Sequence, residues 1–79
     1  MPTILRKDGF RFYFYSNEND EPAQIHVQRG DAGGKIWLMP KLELEFMYGF
    51  RDAEGTQIAI ISFEYSEQFK TEWDGYFNK

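Results

Sequence analysis

The chain has 79 residues, 42% hydrophobic and 19% aromatic, with no cysteine and a net charge of −4. That length builds one domain around one core, and each buried ring can remove about 150–250 Å² from water. The composition excludes a disulfide scaffold, a zinc–thiolate site, a disordered chain and a multidomain enzyme.

From Thr3 to Tyr48 the apolar residues recur at every second position, the period of a strand with one buried face. Phe10, Phe12 and Phe14 alternate with Arg11, Tyr13 and Tyr15. The stretch S-N-E-N-D-E-P-A-Q over 16–24 is polar and rich in turn formers, so a loop is expected there. Ile25 and Val27 then alternate with Gln24, His26 and Gln28. Gly30-Asp31-Ala32-Gly33-Gly34 supplies the positive-φ tolerance of a hairpin turn, and Ile36 and Leu38 alternate with Lys35, Trp37 and Met39 on the return. Pro40 cannot donate to a ladder and should end that strand or lie at an edge. Leu42, Leu44, Phe46 and Tyr48 alternate with Glu43, Glu45 and Met47 in a further short strand or extended edge.

After Gly49 the period changes. Ile58, Ile61, Tyr65, Phe69, Trp73 and Tyr76 fall within an arc of about 120° on a helix of 100° per residue. Asp52 is the expected N-cap, with Thr56 as a second choice. The β-branched run Q-I-A-I-I-S-F over 57–63 could be read as a strand, and the helical reading is preferred. The fold expected is therefore α+β in a single domain over 1–79. An antiparallel sheet of four to five short strands (about 3–48) precedes a C-terminal helix or broken helix pair (about 52–77) packed on one sheet face. Residues 1–51 balance seven basic against seven acidic side chains, whereas residues 52–79 set six acidic ones against Lys70 and Lys79. The acidic excess thus belongs to the helical part, which counts against broad nucleic-acid binding.

Several segments resemble the domain of unknown function 4160 family, a family of small bacterial proteins. They are the opening M-P-T-I-L-R, then G-F-R-F-Y-F-Y-S-N-E, E-P-A-Q-I-H-V and K-I-W-L-M-P, with Gly49-Phe50 and the closing Trp73-Asp74-Gly75-Tyr76-Phe77-Asn78. The last is similar to the family's W-N-E-Y-F ending. The resemblance covers nearly the whole chain. It implies a small protein partner encoded nearby, in an arrangement that has invited toxin–antitoxin interpretations, and it carries no established activity. One departure matters. The family's usual E-P-P-H-I-H-V, with two histidines on one strand face, is here Glu21-Pro22-Ala23-Gln24-Ile25-His26-Val27. With Gln24 in place of the first imidazole, a two-histidine chelate is lost, because glutamine is a poor ligand for zinc, copper or nickel.

His26 is the one side chain whose ordinary pKa lies near neutrality, and so the natural acid or base; Glu18, Asp20 and Glu21 precede it and could orient it. Arg11, Tyr13 and Tyr15 share a strand face as a small stacking platform that Lys35 and Trp37 could join. With Gln24 and His26 they form one candidate binding surface. Ile60 and Phe63, beside Glu67 and Asp74, project from the helix opposite its apolar stripe, a second surface on which a partner or another copy could dock. Glu43 and Glu45 read as a charged edge that discourages strand pairing. No phosphate-cradling loop, G-x-S-x-G serine or cysteine nucleophile is present.

Three functions follow. The first is a non-enzymatic interaction protein, as one half of a two-gene toxin–antitoxin-like module or through self-association. The second is a small enzyme or metal site centred on His26, and the third an RNA-binding toxin using Arg11, Tyr13 and Tyr15. The first is preferred, leaning away from an enzyme, with no metal or cofactor expected. No apolar run reaches the roughly 20 residues of a membrane span, and no basic segment followed by an apolar one predicts a secretory leader. With no cysteine, a cytoplasmic protein is expected.

Overall fold

A computed structural model describes residues 3–15 and 20–77. Among these residues the chain forms strands β1 (Thr3–Lys7), β2 (Phe10–Tyr13), β3 (Gln24–Arg29), β4 (Ala32–Trp37) and β5 (Glu43–Tyr48). Two helices follow, α1 (Asp52–Glu64) and α2 (Ser66–Phe77). The strands pair antiparallel with their sequence neighbours in the order β1-β2-β3-β4-β5, so the sheet is a five-stranded meander. The α+β architecture matches expectation, down to the broken helix pair.

Asp8 and Gly9 close the first hairpin, with φ of 56° and 87°. Asp-Gly is the dipeptide that reaches positive φ at both turn positions most easily, so this turn had a sequence signal. The second tight turn is shorter than expected. Only Gly30 and Asp31 lie between β3 and β4, while Gly33 and Gly34 are strand residues. A Cβ on Gly34 would stand 2.8 Å from the Phe46 carbonyl oxygen, so glycine permits the close approach of β4 and β5 there.

The sheet's inner face carries Phe12 opposite Val27 and Ile25 opposite Ile36. These residues join Phe10, Phe14 and Leu38, all buried, with Ile58, Ile61, Phe69 and Trp73 from the helices. Phe12 stacks on Phe69 at 5.4 Å, and Phe14 meets Trp73 edge-on at 5.2 Å. The 57–63 segment is helical, and its Ile58 and Ile61 join the core against the sheet. Helix α1 ends at Tyr65, whose amide donates to the Ile61 carbonyl at 2.9 Å before α2 begins. Asp52 is the first helical residue, not the cap. The cap is Arg51, whose amide donates to the Glu54 carboxylate at 2.9 Å. Tyr76, expected in the buried stripe, is 44% exposed in the last turn of α2, and Phe77 beside it packs against the core instead.

A break in register reshapes β5. Lys35 pairs with Phe46 and Ile36 with Leu44, which leaves Glu45 as the extra residue of a bulge. Strict alternation placed Leu44, Phe46 and Tyr48 on one face. The bulge separates them, leaving Leu44 beside the helix layer and turning Phe46 and Tyr48 to the outer face.

Candidate binding surface

Both helices pack on one side of the sheet, so the outer face is covered by neither. Strand register arranges that face in rows. Tyr13, His26, Lys35 and Phe46 lie side by side across four strands. Arg11, Gln28, Gly33 and Tyr48 form the row on one side, and Gln24, Trp37 and Glu43 the row on the other. An uncovered antiparallel face is ordinarily polar. This one sets the rings of Tyr13, Trp37, Phe46 and Tyr48 among its polar side chains.

The rings are held in place by one another. Tyr13 lies over His26 at 5.5 Å and 26°, Tyr15 meets His26 edge-on at 4.4 Å, and the two tyrosines touch edge-on at 5.4 Å. Their hydroxyls are 3.3 Å apart. Tyr13 and His26 are both buried, on the face opposite the helices. Burial, with the Tyr15 hydroxyl as the second cause, raises the Tyr13 pKa above the usual tyrosine range. The Arg11 guanidinium sits 4.4 Å above the Tyr13 ring, its Nε donating to the Thr3 hydroxyl at 2.7 Å and another nitrogen to Gln28 at 3.2 Å.

At the other end, the Lys35 ammonium is 4.2 Å from the Trp37 ring centroid and 3.7 Å from the Glu21 carboxylate. Trp37 Nε1 donates to Glu45. Gln24 is fully buried, and its Nε2 donates to Glu21 at 2.6 Å while its Oε1 has no partner among the described residues. Phe46 and Tyr48 stack at 6.3 Å and are 47% and 58% exposed. The Tyr48 ring leans across Gly33, where a Cβ would stand 2.7 Å from its hydroxyl.

The structure thus brings Arg11, Tyr13, Tyr15, Gln24, His26 and Trp37 onto one face. Of the acids suggested as orienters for His26, Glu21 bonds Gln24 and Lys35, Asp20 is exposed, and Glu18 lies outside the described residues. Among the described residues no group of three or more His, Cys, Asp or Glu side chains is placed to hold a metal ion. Phe46 and Tyr48 join the face unannounced, because only the bulge puts them there. On the helix layer, Ile60 and Phe63 are 55% and 75% exposed, Glu67 pairs with Lys70 at 2.7 Å, and Asp74 faces solvent.

A family model described as Domain of unknown function (DUF4160) matches residues 9–74, from the turn before β2 to the last turns of α2. The chain belongs to the DUF4160 family. No curated protein and no solved structure matches it. The matched region includes all four strands that build the aromatic face, so in this DUF4160 protein the face is part of the family domain and not an appendage to it.

Proposed function

We propose that this DUF4160 protein is a protein-interaction component, and that the outer sheet face is where its partner docks. The observation that carries the reading is the set of rings that strand register gathers on the sheet face opposite the helices. Its rings are held by contacts within and between strands, so little side-chain freedom remains to be lost on binding, and tyrosine, tryptophan and arginine are the residues that anchor interfaces. The expected partner is a small protein encoded nearby, in a two-gene toxin–antitoxin-like arrangement.

Charge favours a protein over RNA. The face sets Arg6, Arg11 and Lys35 against Glu21, Glu43 and Glu45, while Asp52, Glu54, Glu64, Glu67, Glu72 and Asp74 lie in the helices. A balanced face gives no net attraction for a phosphate backbone. Co-expression with the product of the adjacent gene should yield a stoichiometric complex that Tyr15→Ser combined with Phe46→Ser disrupts. Neither side chain belongs to the hydrophobic core, so the variant should remain folded. Absence of a complex, or a complex indifferent to that variant, would overturn the reading. RNA bound by the chain alone, and released by Arg11→Ala, would replace it with the nucleic-acid alternative.

A further inference from the structure

We infer that the free edge of β5, with the groove between β5 and α1, takes an extended basic segment of a partner protein as a sixth strand whose apolar side chains enter the groove. This rests on the reading of the chain as an interaction protein and adds a mode of recognition to it.

Strand β5 pairs with β4 on one side, and among the described residues no strand pairs with its other side. Such an edge presents unmet backbone donors and acceptors. Beside it the helix layer falls short of the sheet. Helix α1 turns Gly55, Ala59 and Ser62 toward Ile36, Leu44 and Met47, and these short side chains leave a groove of about 200 Å³. It continues past Leu44, Met47, Gly55 and Ala59 into an outer cleft of about 580 Å³ that runs to Phe50 and Thr56. Leu44 stays 54% exposed because nothing from α1 reaches over it.

A stripe of small residues alone would not make a site. Ser62 supplies the second observation. It is 1% exposed, it lines the groove, and its hydroxyl has no hydrogen-bond partner among the described residues. Buried hydroxyls are nearly always paired, so an unmet one bordering an open groove marks the place where an incoming group would complete it.

The edge also specifies its occupant. The strand E-L-E-F-M-Y carries two carboxylates and no base, with Lys41 and Arg51 lying beyond its ends. A second copy of β5 paired antiparallel near its centre would gather four carboxylates, which disfavours self-pairing. A segment alternating apolar and basic residues fits instead. One set of side chains enters the groove beside Leu44 and Met47. The other lies on the outer face, where Lys or Arg stems can cover Phe46 and Tyr48 and their charges can meet Glu43 and Glu45.

The probe is a fluorescent synthetic peptide of alternating valine and lysine, titrated by anisotropy against the full chain. Saturable binding is expected. It should weaken by at least about tenfold when alternate peptide amides are N-methylated, with Ala59→Leu, which fills the groove from an exposed position, and with Glu43→Gln combined with Glu45→Gln. Ser62→Ala should also weaken it while leaving the fold intact by circular dichroism. A valine–glutamate peptide should not bind. No saturable binding, or binding indifferent to both Ala59→Leu and N-methylation, would overturn the inference. So would a dimer in sedimentation that Ala59→Leu disperses, since the edge would then serve a second copy. A partner complex lost with Tyr15→Ser but unaffected by Ala59→Leu would refute this mode alone and leave the interaction reading standing.

Discussion

Replacing Ser62 by alanine should stabilise the protein, against the usual direction for a buried substitution. A buried hydroxyl that has left water without a partner costs about 1–3 kcal/mol. Alanine removes that penalty, and in α1 it adds a few tenths of a kcal/mol of helix propensity. The opposing loss is small. Ser62 already lines a groove, so removing one oxygen adds little to the space beside it. A net gain of about 1–2 kcal/mol follows, and at about 4–8 °C per kcal/mol for a domain of this size the midpoint should rise by about 5–15 °C. Urea denaturation of the two proteins, followed by tryptophan fluorescence at unchanged m-value, measures the difference. A loss of 1 kcal/mol or more would refute the reasoning, because it would mean that the hydroxyl makes a hydrogen bond in the folded protein, for instance to a carbonyl one turn earlier in α1. A more stable protein that binds the valine–lysine peptide less well would show that the unmet group serves recognition at the expense of stability.

Glycine substitutions should separate by position. Gly34→Ala drives a Cβ to 2.8 Å from the Phe46 carbonyl oxygen and should cost about 1–3 kcal/mol, whereas Gly33→Ala meets only the end of the exposed Tyr48 side chain and should cost less while displacing that ring, readable in NMR shifts of Phe46 and Tyr48. In the helices, Gly75 has nothing within 4 Å and Gly55 would bring a Cβ to an ordinary 3.8 Å from Met47 Sδ, so alanine at either should raise stability by about 0.5–1 kcal/mol in thermal melts. Phe69→Ala removes the ring stacked on Phe12 and should cost about 3–5 kcal/mol in chemical denaturation, enough to leave the domain barely folded. Tyr13 holds its proton more tightly when folded, so its contribution to stability is complete below the ordinary tyrosine pKa of 10.0 and declines as the pH rises above it, by at most about 1.4 kcal/mol per pH unit. Tyr13→Phe should flatten that alkaline decline, and an equally steep curve would refute the assignment.

The fold was legible because each half of the chain keeps one hydrophobic period. Phe10, Phe12, Phe14, Ile25, Val27, Ile36 and Leu38 alternate through a one-sided sheet, and every one of them is buried. Ile58, Ile61, Phe69 and Trp73 keep helical spacing and are buried too. The β-branched run at 57–63 is helical because its 3–4 spacing lets Ile58 and Ile61 meet the sheet, and that packing outweighs intrinsic propensity. Membership of the platform by Arg11, Tyr13, Tyr15 and His26 followed from alternation on β2 and β3. Phe46 and Tyr48 could not be found that way, since one extra residue at Glu45 inverts the facing of all that follows and no residue type announces a bulge. The groove was equally hidden. Gly55, Ala59 and Ser62 are unremarkable on a helix, and their effect appears only when Leu44 and Met47 stand opposite.

The exposed apolar side chains of α1 and the rings of the outer sheet face differ in physical state. Ile60 and Phe63 project singly from α1 on side chains that would have to be ordered by any partner, and isolated exposed apolar residues are ordinary on small proteins. The sheet face is already ordered. Tyr13, Tyr15 and His26 fix each other through three ring contacts, Arg11 and Lys35 lie on rings, and Trp37 is tethered to Glu45. Each immobilised side chain spares roughly 0.5–1.5 kcal/mol of ordering cost when a partner arrives. The bulge at Glu45 links this face to the groove, since it puts Phe46 and Tyr48 on the outer side of β5 while Leu44 and Met47 remain on the inner side. A strand added at that edge would therefore contact both surfaces at once, which a ligand resting on either surface alone could not do.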